Sequence, residues 1–354
     1  MKKQNPISAL MKKTENGTVI FVLICFFIAI IALQLISGAV AGSVEYPTFI
    51  TPMNLLNILS QNTCAGIMAI GMMLVIITGG IDLSVGMLSS FTAIFCAKCI
   101  ADWGVAAPVA VILALVLAVA MEVGMGLIIS RTKVEPFIIT LGGMITFQGV
   151  ALVMCHSQEV RLAGELEALK TNLISVEANG VALQLPAYVF IFIAVVIVFW
   201  LILKYTKYGR RLYAVGSNKD AAFLAGIDVK NMTLSAYALN GLLVGIAALI
   251  LLARVNVANI TIGQGYEIDA IAAAVIGGAA MSGGKGNAWG TFFGAILLGS
   301  IGNAMTMLHL NSEWQYVAKG AIIIAAVTAG AVSAALASKK SASRKENEAI
   351  NKAA

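Results

Sequence analysis

The sequence predicts an all-α, polytopic membrane protein with about ten transmembrane helices, and three observations carry that expectation. Hydrophobic residues make up 60% of the 354-residue chain and charged residues only 11%, where a soluble domain holds roughly a quarter charged. The mean hydropathy is +0.92. The apolar residues also fall in blocks of roughly twenty, long enough for a helix to cross ~30 Å of hydrocarbon. So few charges cannot solvate a globular surface, which excludes the soluble and fibrous classes.

The apolar blocks run over about 18–38, 56–78, 85–101, 105–129, 137–155, 186–203, 232–253, 267–282, 289–308 and 315–337. The first follows Lys2, Lys3, Lys12 and Lys13 and precedes Ala39-Val40-Ala41, an outline shared with secretory signals. Its run Val19–Ile36 exceeds the roughly 7–15 residues of a signal core. It also opens a chain full of similar runs, so it is read as an uncleaved first helix.

Ten crossings bring both termini to one side, and positive charge says which side. With the N-terminus inside, the inner segments hold eighteen of the 23 Lys and Arg residues, six of them in the loop 204–231 and five in the tail 338–354. Cytoplasmic loops are enriched in Lys and Arg, so both termini are expected in the cytoplasm of a bacterial inner-membrane protein. This asymmetry accounts for the net charge of +6, and nothing points to nucleic acid. Residues 1–337 are read as one transmembrane permease domain and 338–354 as a disordered tail. The outer loop 156–185 is acidic, with Glu159, Glu165, Glu167 and Glu177 against Arg161 and Lys170.

Enzymatic chemistry finds little support. His156 and His309 lie near outer helix ends, and neither belongs to a metal-binding motif. The five cysteines (Cys25, Cys64, Cys96, Cys99 and Cys155) sit in or beside apolar stretches and are read as small hydrophobes. Ser282-Gly283-Gly284-Lys285-Gly286 imitates a phosphate loop, but Ala279 and Gly286 stand where the pattern needs Gly and Ser or Thr. No metal or cofactor is expected, and any ATP must be handled by a partner.

The most informative stretch is Gly79-Gly80-Ile81-Asp82-Leu83-Ser84-Val85-Gly86. Two glycines break a helix, and a carboxylate follows at membrane depth, where charge is costly and faces a cavity or a partner. Asp82 can cap the third helix or touch solute, and both roles can hold together. Glu122, in the fourth helix, is read as a structural pairing. Gly286, Gly290 and Gly294 form a small-residue stripe for close helix packing. Val75–Asp82 and Val275–Ser282 echo each other, each with glycines near the inner end of an outside-to-inside helix. Such echoes occur in transporters built from repeats.

In the basic loop, Asn218 can cap a short helix, Asp220 sits in its first turn, and Gly226 can close it. Ala221, Ala222, Phe223, Leu224 and Ala225 fill the helix between them. Phe223 and Leu224 then project as an apolar knob outside the membrane, which marks a protein contact; a helix lying on lipid is the alternative.

The chain resembles the ribose-type permeases of bacterial ABC sugar importers over nearly its whole length. The resemblance rests on five runs in matching order: Gly80–Gly86, Pro136–Gly142, Tyr208–Gly216 leading into Ala225–Val229, Gly265–Ala273 and Gly283–Gly286. It implies two paired permease subunits (a homodimer being expected), two cytoplasmic ABC ATPases, an extracytoplasmic solute-binding protein and, as cargo, a ribose-like monosaccharide or related solute. It places the family's coupling helix on Asn218–Ala225. The outer loop 156–185 departs from the pattern, so the resemblance does not define the sugar. Asp82, Ser84, Gln148 and Asn240 are expected to line the polar path. The rival readings are an ion-coupled secondary transporter, for which only Asp82 and Glu122 would qualify as carriers, and a channel or interaction subunit.

Overall fold

The computed structural model describes residues 49–178, 181–308, 310, 311 and 313–321, with the single positions 28, 31, 324 and 328. The expected first span, most of the tenth, the tail 338–354, Cys25 and His309 lie outside the described residues. The chain divides into two units, 1–309 and 310–354. Helical residues 313–321 belong to the second. Everything below concerns the first.

Helix α1 (Pro52–Gln61) starts with Pro at its first position and Thr51 as cap, whose hydroxyl accepts the Asn54 N–H at 3.2 Å. It meets α2 (Thr63–Ile77) at a bend of 51°. At the bend, Asn62 donates through Nδ2 to the Ile58 carbonyl at 2.7 Å, competing with the helix ladder. Helix α2 is apolar on every side and buried at every position, as an all-round hydrophobic helix must be. The long α10 (Val229–Val255) is the other central element and packs along α2 and along α4 (Ala107–Arg131). Glycines allow the close approach: a Cβ at Gly241 would stand 2.8 Å from the Ala118 carbonyl oxygen, and one at Gly126 2.9 Å from Tyr237 Cβ.

Around this core stand α3 (Val85–Ala101), α5 (Pro136–Cys155) and α7 (Ala187–Tyr205). The short α8 (Lys207–Ser217) and α9 (Lys219–Leu224) follow, and α11 (Tyr266–Ile276) and α12 (Ala288–Met307) complete the described set. The acidic segment after α5 holds short strands and a helical turn. Strand β1 (Val160–Arg161) pairs with β4 (Val257–Ala258), and after α6 (Glu167–Lys170) strands β2 (Asn172–Ala178) and β3 (Val181–Pro186) form an antiparallel hairpin.

Among the described residues five helices are long and apolar enough to cross a membrane: α4, α5, α7, α10 and α12. The bent α1–α2 pair makes a sixth. Helix α3, at 17 residues, is shorter, and the span expected over 267–282 is an eleven-residue half-helix. The reason is Gly277-Gly278. Gly278 has φ +96, its N–H reaches the Val275 carbonyl, and the Ala279 N–H reaches Ala274, which together close a Schellman cap. Helix α2 ends in the same way: Gly79 has φ +83, with Gly79 N–H to Ile76 and Gly80 N–H to Val75. The two echoing segments therefore share one termination motif. Gly290 and Gly294 of α12 lie so close to the Gly277 and Ala273 carbonyls that no Cβ would fit, which is the packing role expected of the stripe.

Candidate functional site

The Schellman cap at Gly79 turns the chain sharply and delivers Asp82 into the interior between α2, α4 and α10. Asp82 Oδ1 accepts the Ser84 N–H at 2.8 Å and the Ser84 hydroxyl at 2.7 Å. Asp82 Oδ2 accepts Asn240 Nδ2 at 2.7 Å, joining residues 158 positions apart. The Ser84 hydroxyl also lies 3.4 Å from Glu122 Oε1. Asp82, Ser84, Glu122 and Asn240 are all fully buried. Thr140 of α5 fastens the loop from the other side: its Oγ1 accepts the Leu83 N–H and lies 3.2 Å from the Ile81 carbonyl.

Three polar atoms here have no partner: Glu122 Oε2, Asn240 Oδ1 and Tyr237 Oη. Tyr237 presses on the break itself, since a Cβ at Gly80 would stand 2.7 Å from its Oη. Orphaned buried polar atoms are costly, so such a cluster suits either a second arrangement or a hydroxyl-rich guest. Among the described residues no group of three or more His, Cys, Asp or Glu is placed to hold a metal ion.

Three of the four expected path residues thus meet, and Gln148 does not, being exposed on α5. The capping role of Asp82 also differs from expectation. The cap position of α3 is Ser84, and no side chain caps that helix. Asp82 binds the N–H two residues on, before the helix begins, because the helix starts too late for its carboxylate to reach further. Sequence reasoning did not single out Tyr237 or Thr140. Tyr237 lies in a long apolar run, and Thr140 is visible only as part of the Pro136–Gly142 motif.

The second half of the site is the α8–α9 segment. Asn218 Oδ1 accepts the Ala221 N–H at 2.8 Å, capping α9. Gly226, at φ +77, closes it through N–H bonds from Gly226 to Phe223 and from Ile227 to Ala222. Phe223 is 71% and Leu224 85% exposed, so the apolar knob is real. Ala222 corrects the expectation: it is 4% exposed, because its Cβ faces the protein's own body from the inner side of the short helix. Helix α8 seats this knob on both helix breaks. Leu212 and Val215 are buried, and the Tyr213 hydroxyl donates to the Gly286 carbonyl at 2.8 Å. Gly216 abuts the Ile77 carbonyl too closely for any Cβ, and the Gly284 N–H donates to that same carbonyl at 2.9 Å. Beside Gly80 opens a cleft of about 220 Å³.

These features were compared with known proteins. The profile of the family described as branched-chain amino acid transport system / permease component matches residues 54–327. The chain belongs to this permease family. The permease is 37% identical to the ribose import permease protein of Bacillus subtilis (strain 168) over 286 residues, covering 80% of this chain and 87% of that one. It is 40% identical to the ribose import permease protein of Escherichia coli (strain K12) over 281 residues, 79% and 86% of the two chains. Against the xylose transport system permease protein of Haemophilus influenzae it is 30% identical over 355 residues, 85% and 94%. No solved structure matches. The breaks, the Asp82 cluster and the α8–α9 knob all lie within the family-matching region of the permease.

Proposed function

We propose that this permease is the translocation subunit of an ATP-binding-cassette importer that carries a monosaccharide of the ribose or xylose kind into the cytoplasm. Two copies pair in the inner membrane, a separate ATPase supplies the energy, and a solute-binding protein delivers sugar from outside. Catalysis by the permease itself has no place in this scheme. Both termini and the α8–α9 segment face the cytoplasm.

The observation that carries the reading is the linkage between an exposed apolar helix and two helix breaks. Asn218 and Gly226 shape α9, Ala221 and Ala225 complete it, and Ala222 anchors it to the permease. Phe223 and Leu224 dock into the ATPase, since apolar side chains so exposed are stabilised by a partner groove. A push on α9 passes through α8 to Gly216, and from there to Ile77 and Gly284. These residues flank the glycine hinges at 79 and 278, and the bond network of Asp82, Ser84 and Asn240 rearranges with them. The unpartnered Asn240 Oδ1 and Glu122 Oε2 then accept from sugar hydroxyls. Gln148 joins the path where the second copy closes against α5.

Reconstitution in vesicles with the ATPase and binding protein tests the assignment. ATP-dependent uptake of radiolabelled ribose or xylose is expected. Uptake driven by a proton or sodium gradient without ATP would overturn it in favour of an ion-coupled carrier.

A further inference from the structure

The cleft beside Gly80 has a composition that a path for neutral sugar does not require. Lys133 from the α4–α5 turn, Lys219 from α9 and Lys230 from α10 line it against a single carboxylate, Glu135. None of these lysines is in an ion pair among the described residues. The cleft is also lined by Tyr237, fully buried, with a hydroxyl that has no partner. The nearby Thr233 hydroxyl already donates to its own helix at 2.9 Å. Three exposed lysines from three separate elements therefore border one cleft, together with one unoccupied donor. A neutral sugar offers nothing to balance them. A phosphate monoester does, because it carries close to two negative charges and three strong acceptor oxygens.

We infer that this cleft binds a phosphomonoester, with Lys133, Lys219 and Lys230 on the phosphate and the Tyr237 hydroxyl turned to the ligand. Occupation ties α9 to the break after α2 and so holds the linkage described above in one position. Two sources share this chemistry. One is a free sugar phosphate, the product of the ATP-dependent phosphorylation that traps an imported monosaccharide; bound here it acts as feedback on import. The other is the headgroup of phosphatidic acid in the inner leaflet. The physiological sense rests on the cytoplasmic placement proposed above, whereas binding itself requires neither the ATPase nor the cargo.

The test uses the purified full-length chain in nanodiscs. In phosphatidylcholine discs, calorimetric titration with ribose 5-phosphate is expected to show binding that ribose does not. The Lys133→Gln/Lys230→Gln double variant should lose roughly tenfold or more in affinity, while Lys207→Gln, outside the cleft, should bind as before. In a parallel arm, discs containing phosphatidic acid should raise the thermal midpoint of the wild-type chain and not that of the double variant if the lipid is the source. Thermal midpoints in phosphatidylcholine establish that each variant is folded. Binding or stabilisation that is absent in both arms, indifferent to the double substitution, or weakened equally by Lys207→Gln overturns the inference. A failed uptake assay would leave these titrations unchanged, so the two readings fail separately.

Discussion

Replacing Asp82 by Leu removes the acceptor of three hydrogen bonds and strands the Ser84 N–H, the Ser84 hydroxyl and Asn240 Nδ2 in the interior. Each unsatisfied group costs about 1–3 kcal/mol, so transport is expected to vanish in vesicles matched for inserted protein. Asp82→Asn keeps a carbonyl for Ser84, and its amide can donate to Asn240 Oδ1, which is vacant in the native protein. That variant should retain part of the uptake, and full activity of the Leu form would reduce the loop to a mere bend. Gly80 supplies a sharper case. Gly80→Ala pushes a methyl group to 2.7 Å from the Tyr237 hydroxyl. Overpacking of this kind costs about 1–3 kcal/mol. The thermal midpoint should fall for Gly80→Ala and recover in part in Gly80→Ala/Tyr237→Phe, where the offending oxygen is gone and only Val75 Cγ1, at 3.1 Å, still crowds the methyl group. Asp82 and Ser84 were legible in the sequence because a glycine-broken helix with a carboxylate is rare at membrane depth. Tyr237 was not, since its role depends on a neighbour 157 positions away and nothing local distinguishes it from other aromatic residues in apolar runs.

The α9 helix shows the same division. Its cap, its terminator and its exposed pair could be read from Asn218, Gly226, Phe223 and Leu224, because capping chemistry is local. The inward turn of Ala222 could not, because which face of a six-residue helix meets the body depends on where the body lies. The difference changes the expected phenotype. Ala222→Glu forces a charge into the permease's own packing and should lower its thermal midpoint. Phe223→Ser/Leu224→Ser should leave that midpoint unchanged yet lose the ATPase on co-purification, since removing a central anchor costs a complex about 2 kcal/mol or more. Normal retention of the ATPase by the double serine variant would sink the docking assignment. The pairing of β2 with β3 has a local signal in the sequence. Asn179-Gly180 separates two runs of alternating residues, the strongest short-range hairpin signal there is.

Membrane class followed from composition alone, and the family from a handful of motifs in order. The number of crossings is harder to derive, because a hydropathy block does not reveal whether its helix is continuous. The block at 267–282 contains a half-helix for that reason, and the block at 56–78 contains a bend at Asn62. Orientation rests on the eighteen-of-23 charge split. A cysteine placed at Glu165 should react with a membrane-impermeant maleimide applied to intact cells, and one at Lys207 should react only after permeabilisation; the reverse pattern would remove the cytoplasmic assignment of α8 and α9 together. The stitch from the Gly284 N–H to the Ile77 carbonyl has a consequence for engineering. It is made of main-chain atoms, and its neighbours Gly216 and Gly283 contribute only the lack of a side chain. At this stitch the proposed drive runs through main-chain atoms, while whatever distinguishes one cargo from another must be written in side chains elsewhere. Retargeting the carrier to a different sugar and keeping its motor drive are separable tasks, provided glycine is left in place at those three positions.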